Sequence, residues 1–325
     1  MKFLKYLTIL TLALTLLLSA CSGQTLPQGG EVGTGSLGTG QLGPSQSTGG
    51  NAGTLTPGDA FANAEHLLTI RVLDTGKSDC ILIKIDDVVI MMDTADADDY
   101  GEICDLLESL GISRIDYLIL THYDNDHIGC AARVVEDFEV TNVYAPNYVR
   151  DSGLYRSLMS ALEQRAAVTT LHKIQEDTTL PLEVGSMWLN VSRVYPELSH
   201  EDPIPEDSMD NDLSLICGLE LGEFSALFMG DAEKKRCEDF EAQTAYAGEY
   251  DFVKLPHHGN QNKTLREYLS SIRPRYGVIC TDNFQSVEVE LVNLLRGMGT
   301  LIYYSYNGQT VLRTDGKTVE CTQAR

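Results

Sequence analysis

Basic residues are scarce in this chain of 325 residues, where 24 Lys and Arg stand against 47 Asp and Glu for a formal net charge of −23. A surface that acidic repels polyanions and lacks the basic footprint of a dedicated nucleic-acid binder. Neither disorder throughout nor a polytopic membrane protein fits a composition that is 43% hydrophobic and 22% charged. The eight cysteines contain no C-x-x-C pair. No self-similarity appears at the roughly 20–50-residue period of a solenoid. A phosphate loop is absent too: Gly76-Lys77-Ser78 has the right ending, but Arg71 stands where the leading glycine is required.

One apolar run does occur, at the start of the chain. Lys2 and Lys5 precede Tyr6 to Leu18, a stretch of signal-peptide length that is too short to span a bilayer. Leu18-Ser19-Ala20-Cys21 follows and resembles a bacterial lipobox, so residues 1–21 are expected to be a lipoprotein signal ending at a lipidated Cys21. Cleavage there would remove two lysines and take the net charge from −23 to −25. Residues 22–64 read as a flexible tether: twelve of the 37 residues from Ser22 to Gly58 are Gly, and Glu31 alone is charged. Anchor and tether together predict a cell-membrane location on the extracytoplasmic face, with the membrane as a partner through Cys21. Of the remaining cysteines, Cys80, Cys217 and Cys280 lie in strand-like apolar runs and read as core thiols. At most one or two pairs are left for disulfides.

Residues 65–325 carry regular patterning and are expected to form one domain. Leu68–Leu73, Ile81–Ile85 and Val88–Met92 are short runs rich in β-branched residues, separated by turn formers. Glu102–Leu110, Leu154–Gln164 and Val287–Arg296 have helical spacing of apolar residues. Further strands are expected at Ile115–Leu120, Leu213–Glu220, Ser225–Met229, Asp251–Leu255 and Tyr276–Cys280. A hairpin is expected from Leu301–Tyr306 to Thr310–Arg313, across Asn307-Gly308. Paired strands followed by alternating strands and helices predict an α+β protein, a four-layer αββα sandwich.

Chemistry gathers at the predicted strand ends. His122-Tyr123-Asp124-Asn125-Asp126-His127 follows one buried strand, Gly230-Asp231 another, and Pro256-His257-His258-Gly259 a third. Imidazoles and carboxylates at three strand termini are competent ligands for Zn, Mn or Fe, and a dinuclear metal site accounts for them together. Taken alone, Asp231 reads first as a helix N-cap, since AEKKRCEDF follows it. His66 and His172 lack ligand-like spacing, Tyr303, Tyr304 and Tyr306 fit strand packing, and Tyr123, Tyr144 and Tyr148 lie near enough for substrate contact.

These motifs resemble those of the metallo-β-lactamase-fold hydrolases. Thr121 to Gly129 (THYDNDHIG) is similar to their H-x-H-x-D-H signature in the H-x-D-x-D-H form of the nuclease-like domain of ComEC-type competence proteins. Leu73 to Asp79 (LDTGKSD), Met92-Asp93-Thr94, Asn211-Asp212-Leu213-Ser214, Gly230-Asp231 and Leu255 to Gly259 (LPHHG) resemble that group's other stations, in order. The resemblance implies two divalent ions, Zn or Mn. His122 and Asp124 would hold the first; Asp126, His127 and one of His257 and His258 the second; Asp231 would bridge them. Two metals about 3.5–4 Å apart would supply a hydroxide at neutral pH and clamp a phosphoryl oxygen, with Asp126 as the catalytic acceptor of its hydrogen bond. Asn211 or Ser214 would fill the place of the missing third histidine, contact substrate, or cap a strand. Ala95, Cys130 and Asn260 depart from the family's glycine, glycine and serine, and His200 reads as a solvated residue of an acidic loop.

The expected function is therefore a lipid-anchored, extracytoplasmic metal-dependent hydrolase, first of all a phosphodiesterase or nuclease-like enzyme. The acidity weighs against DNA, so a cell-wall or teichoic-acid phosphodiester or a small phosphoester is a parallel expectation. A different class altogether is a non-catalytic tethered binding module of the same fold. The first-site ligand set argues against a β-lactamase proper.

Overall fold

The computed structural model describes residues 59–198, 201–205 and 208–324. The expected signal segment, Cys21, residues 22–58 of the expected tether and His200 lie outside them. The tether boundary moves, however. Phe61 is fully buried and Asp59 accepts from Arg313 Nη2 at 2.9 Å, so the residues just before 65 pack on the fold.

The strands, in chain order, are β1 Leu68–Val72, β2 Ile81–Ile85, β3 Val88–Met92, β4 Arg114–Ile119, β5 Glu139–Pro146, β6 Thr170–Ile174, β7 Thr178–Thr179, β8 Ser186–Asn190, β9 Ile216–Leu221, β10 Phe224–Phe228, β11 Phe252–Lys254, β12 Tyr276–Ile279, β13 Leu301–Tyr304, β14 Gln309–Thr314 and β15 Val319–Ala324. The helices are α1 Tyr100–Ser109, α2 Asn125–Ile128, α3 Ala131–Asp137, α4 Gly153–Gln164, α5 Ser208–Asp212, α6 Lys234–Glu241, α7 Lys263–Ile272 and α8 Val289–Met298. No helix of the described residues is long and apolar enough to cross a membrane.

Two mixed sheets result. The first has eight strands in the order β15-β14-β1-β2-β3-β4-β5-β6, the second seven in the order β13-β12-β11-β10-β9-β8-β7. In the first sheet β1, β2 and β3 form an antiparallel meander, whereas β3 to β6 pair in parallel. In the second, β8, β9 and β10 are antiparallel and β10 to β13 parallel. Parallel neighbours need crossovers, and these supply the outer layers: α1, α3 and α4 on one side, α6, α7 and α8 on the other.

Alternation along the strands sets the layers. In β2, Ile81, Ile83 and Ile85 face the space between the sheets, where they meet Leu189, Leu219 and Phe228 of the second sheet. Leu82 faces the other way, into a cluster with Ile103, Leu107, Val134 and Leu158 of the first helical layer. Leu227 and Val253 likewise meet Leu265, Leu269, Leu291 and Leu295 of the second layer. Three apolar seams separating four layers make the αββα sandwich expected from the sequence. Carboxyl ends of the parallel strands collect along one edge, the usual place for a ligand in such sheets.

The hairpin expected around Asn307-Gly308 does not form. β13 runs parallel to β12 in the second sheet, whereas β14 lies between β1 and β15 in the first. A 3-10 turn at Ser305–Asn307 and a left-handed Gly308 (φ 115°) carry the chain from one sheet to the other. The Asn-Gly turn is local, but burial chooses the partners: Tyr304 packs under α8 while Leu312 fills the inter-sheet seam. The seven cysteines of the described residues are free thiols, five of them buried, in keeping with core roles.

Candidate metal centre

Four loops at the carboxyl edge build the site. After β3 the chain turns through Asp93-Thr94-Ala95, after β4 through Thr121 to His127, after β10 through Gly230-Asp231, and after β11 through His257-His258. Asp93, Ala95, His257 and His258 all take left-handed backbone, with φ of 56°, 53°, 46° and 55°. Each such residue other than glycine costs of order 1–3 kcal/mol, a strain that concentrates where a fold must aim side chains. The short α2 brings Asp126 and His127 back beside His122, whose ring centroid lies 4.0 Å from that of His127.

The ligand atoms converge from both sheets. His127 Nε2 lies 3.3 Å from Asp231 Oδ1, and His258 Nε2 lies 3.1 Å from Asp231 Oδ2 and 3.2 Å from Asp126 Oδ2. Three groups of potential ligands form among the described residues, His122 with His127 and Asp231, Asp126 with His127 and His258, and Asp79 with Asp93 and His127; within each, the donor atoms lie within 4.8 Å of one another. Nε2 of His122, His127 and His258 and Oδ1 of Asp231 are buried without an aligned hydrogen bond. Buried polar atoms are normally satisfied. Three unsatisfied imidazole nitrogens facing shared carboxylates are the donor set that a pair of divalent cations would complete. The residues present therefore fit two metals.

Surrounding groups fix the orientation of these ligands. His127 Nδ1 is 2.8 Å from Asp93 Oδ2, while Asp93 also accepts from Thr121 N at 2.8 Å and Thr121 Oγ1 at 2.7 Å. His258 Nδ1 donates to the Cys280 carbonyl at 3.1 Å. With Nδ1 committed outward, each ring presents Nε2 to the centre, the arrangement typical of metal-bound histidines. The protonation tendencies follow from these neighbours. Burial, reinforced by His127, pushes the His122 imidazole well down. Burial acts in the same sense on His258, but Asp231 and Asp126 outweigh it and lift the imidazole to about 9. Burial would raise the Asp231 carboxyl, yet His127 and His258 hold it well below the usual carboxylate range.

Several candidates stand apart from the cluster. His257 turns away, its Nδ1 3.2 Å from Glu233 Oε1, so of the two adjacent histidines it is His258 that faces the other ligands. Asp124 is at the rim, 3.7 Å from His122 Nε2 and 3.4 Å from Arg150 Nη2. Asn211 Nδ2 donates to Glu233 at 3.2 Å, and the buried Ser214 Oγ accepts from Asp231 N at 3.3 Å, which ties it to the Asp231 turn and not to the mouth of the site. Tyr123 and Tyr148 are buried, Tyr123 bonding Pro146 O and Tyr148 bonding Asp210; Tyr144 stacks on His172. His66 pairs with Asp86 on the periphery. Sequence reasoning assigned no role to Asp79, Asp93 or Lys254. Asp79 and Asp93 belong to motifs read above, Asp93 directly after β3 and Asp79 just before β2.

The family model described as "Metallo-beta-lactamase superfamily" matches residues 73–190. The chain is 28% identical over 175 residues to ComE operon protein 3 of Bacillus subtilis (strain 168), which covers 53% of this chain and 21% of that protein. It is 26% identical over 215 residues to Recombination protein 2 of Haemophilus influenzae, covering 65% of this chain and 24% of the relative. The matched regions thus span only about a fifth to a quarter of these relatives' length. Among solved structures, CmlA, a diiron beta-hydroxylase from Streptomyces venezuelae, superposes with a TM-score of 0.50 at 15% identity, over 76% of this chain and 54% of that one. At that identity the likeness speaks to the fold alone. The two-sheet sandwich is the metallo-β-lactamase fold, matched by the family model over residues 73–190, and the chain is similar at modest identity to ComE operon protein 3 and Recombination protein 2.

Proposed function

We propose that the protein is a dinuclear metal-dependent hydrolase acting on a phosphodiester from the outer face of a membrane, held there through Cys21 and the tether. The observation that carries the catalytic part is the convergence of three unsatisfied imidazole nitrogens on Asp231. Zn and Mn both suit this mixed imidazole–carboxylate set. When bound, two divalent ions supply a nucleophile at neutral pH and charge stabilisation for a phosphoryl transition state.

The side chains divide the remaining work. Asp231 lies between His127 and His258 and serves as the shared carboxylate. Asp126, its carboxylate 27% exposed, is placed to accept a hydrogen bond from the attacking water. His257, also partly open to solvent, is oriented by Glu233, which is in turn held by Asn211. With Nδ1–H given to Glu233 and burial pushing the imidazole below its ordinary pKa, Nε2 is left as a bare acceptor for a hydrogen bond from a water or a substrate hydroxyl. The charge of −23 favours a small or cell-wall phosphodiester over DNA.

The test is metal analysis of the purified chain with turnover of bis-p-nitrophenyl phosphate by Zn- and Mn-loaded protein. Hydrolysis abolished by Asp126→Ala is expected. A metal-loaded protein that turns over neither this ester nor DNA would leave the binding-module reading in its place.

A further inference from the structure

Among the described residues Lys254 is the one lysine in a β-strand that is almost completely enclosed, at 1% exposure, and it lies beside the candidate centre. Its ammonium contacts the Asp79 carboxylate, donates to the Gly230 carbonyl at 3.2 Å, and lies 3.6 Å from Asp231 Oδ1. These partners belong to different sheets. Gly230 and Asp231 form the turn after β10, which is paired with β11 through Phe228 and Lys254. Asp79 precedes β2, and its backbone is stitched to the opposite half of the site: Asp79 N donates to Asp126 O at 3.0 Å and Ala95 N to Asp79 O at 2.8 Å. His122, Asp126 and His127 come from the first sheet, Asp231 and His258 from the second.

We propose that Lys254 is a positioning residue: through Asp79 it locks the Asp231 turn of one sheet onto the Asp126–His127 turn of the other, so that both halves of the centre are in register before a metal binds. The ammonium and the Asp79 carboxylate offset each other's charge, and placement rather than field is their contribution. Desolvation supports this assignment. A buried ion pair adds little to stability compared with apolar residues of similar size, whereas it adds a second tie, at the level of Asp79, between two loops that also pack at Gly230 and Thr121. Asp79 lies 3.9 Å from His127 Nδ1 and 4.0 Å from His258 Nδ1, beyond hydrogen-bond reach of either ring, and its contact with Lys254 is closer than both.

The inference rests on the cluster being a metal centre, and the two ideas fail differently. The experiment uses the full chain, with Zn²⁺ affinity from chelator competition, the Co²⁺ absorption spectrum, and thermal unfolding of the metal-free protein. Lys254→Met combined with Asp79→Leu removes both charges and is expected to fold, to lose roughly 10–100-fold in Zn²⁺ affinity, as losing outer support typically does, and to shift the Co²⁺ band. Asp79→Asn leaves the buried ammonium without its counter-charge and is expected to lower the unfolding temperature of the metal-free protein more than the double variant does. A double variant that binds Zn²⁺ as tightly as the wild type would overturn the proposal. A wild-type chain that takes up no metal would instead remove the metal-centre reading itself.

Discussion

Replacing Asp93 by Asn probes whether the ligands are pre-oriented. Its carboxylate accepts from Thr121 N, Thr121 Oγ1 and His127 Nδ1 at 2.7–2.8 Å. An amide has one accepting oxygen and one donating NH₂. If the oxygen keeps the Thr121 N–H, the NH₂ faces His127 Nδ1, and two donors cannot both remain protonated there. The ring relaxes by moving its proton to Nε2, the nitrogen that a metal needs bare. Loss of such a partner typically costs 10–100-fold in metal affinity, or about 1.4–2.7 kcal/mol. Stability without metal should change less, because burial already works against the Asp93 charge and raises its pKa. Zn²⁺ affinity from chelator competition, beside thermal unfolding of the metal-free protein, separates the two effects. Wild-type affinity in the Asp93→Asn protein would refute the orientation argument. A loss of folding equal to the loss of affinity would show that Asp93 is merely structural.

Four further outcomes are expected. Gly129→Ala places a Cβ 2.3 Å from Ala97 N and 2.5 Å from the Asp96 carbonyl carbon, so unfolding measurements should show a loss of about 1–3 kcal/mol and weaker metal uptake. His258→Ala should lower metal content, whereas His257→Ala should keep the metal and lose turnover; equal metal loss in both would return His257 to the ligand set. Asp177 accepts from Arg193, Tyr246 and Val191 N–H, which together outweigh burial and hold its carboxyl below the usual range. That stabilisation is present above the unfolded carboxylate pKa and lost as pH falls through the lower folded value, so Asp177→Asn should cost at most about 1 kcal/mol at neutral pH and progressively less below pH ~4 in chemical unfolding. Added salt should speed any cleavage of DNA by screening repulsion from a surface of charge −23 and leave a small diester unaffected; a DNA rate that falls steeply with salt would reveal a basic surface.

The layers were legible because short runs rich in β-branched residues come first together and then alternate with segments of helical spacing. Which face each strand residue takes was not: Ile81, Ile83 and Ile85 line the inter-sheet seam and Leu82 the helical layer, yet all four are apolar. The pairing of β13 and β14 was not legible. Asn307-Gly308 specifies a reversal of the chain, and a reversal is as compatible with a change of sheet as with a hairpin. The choice is made by residues far away in sequence: β1 offers its free edge to β14, with Ile70 opposite Leu312, and β12 offers its own to β13. Long-range edge complementarity leaves no local signature.

The site divides along a similar line. His122, Asp126, His127, Asp231 and His258 stood out because imidazoles and carboxylates crowded at the ends of apolar strands would be costly to bury without a cation to pair them. What separates His258 from His257 is the sense of a strained turn. Both residues are left-handed, and the ring that enters the centre is the one whose Nδ1 can reach the Cys280 carbonyl of the neighbouring strand's end. Glu233 then claims His257 from the opposite side. Lys254 was hidden for a different reason, since a lysine in a short strand reads as an exposed edge residue. Its burial is possible only because the first sheet presents Asp79 at that depth, a pairing across 175 positions of sequence that only the packed sandwich creates. The ligands are thus written locally, whereas their alignment is written between the sheets, and substitutions at Asp79, Asp93 and Lys254 are where the two can be told apart.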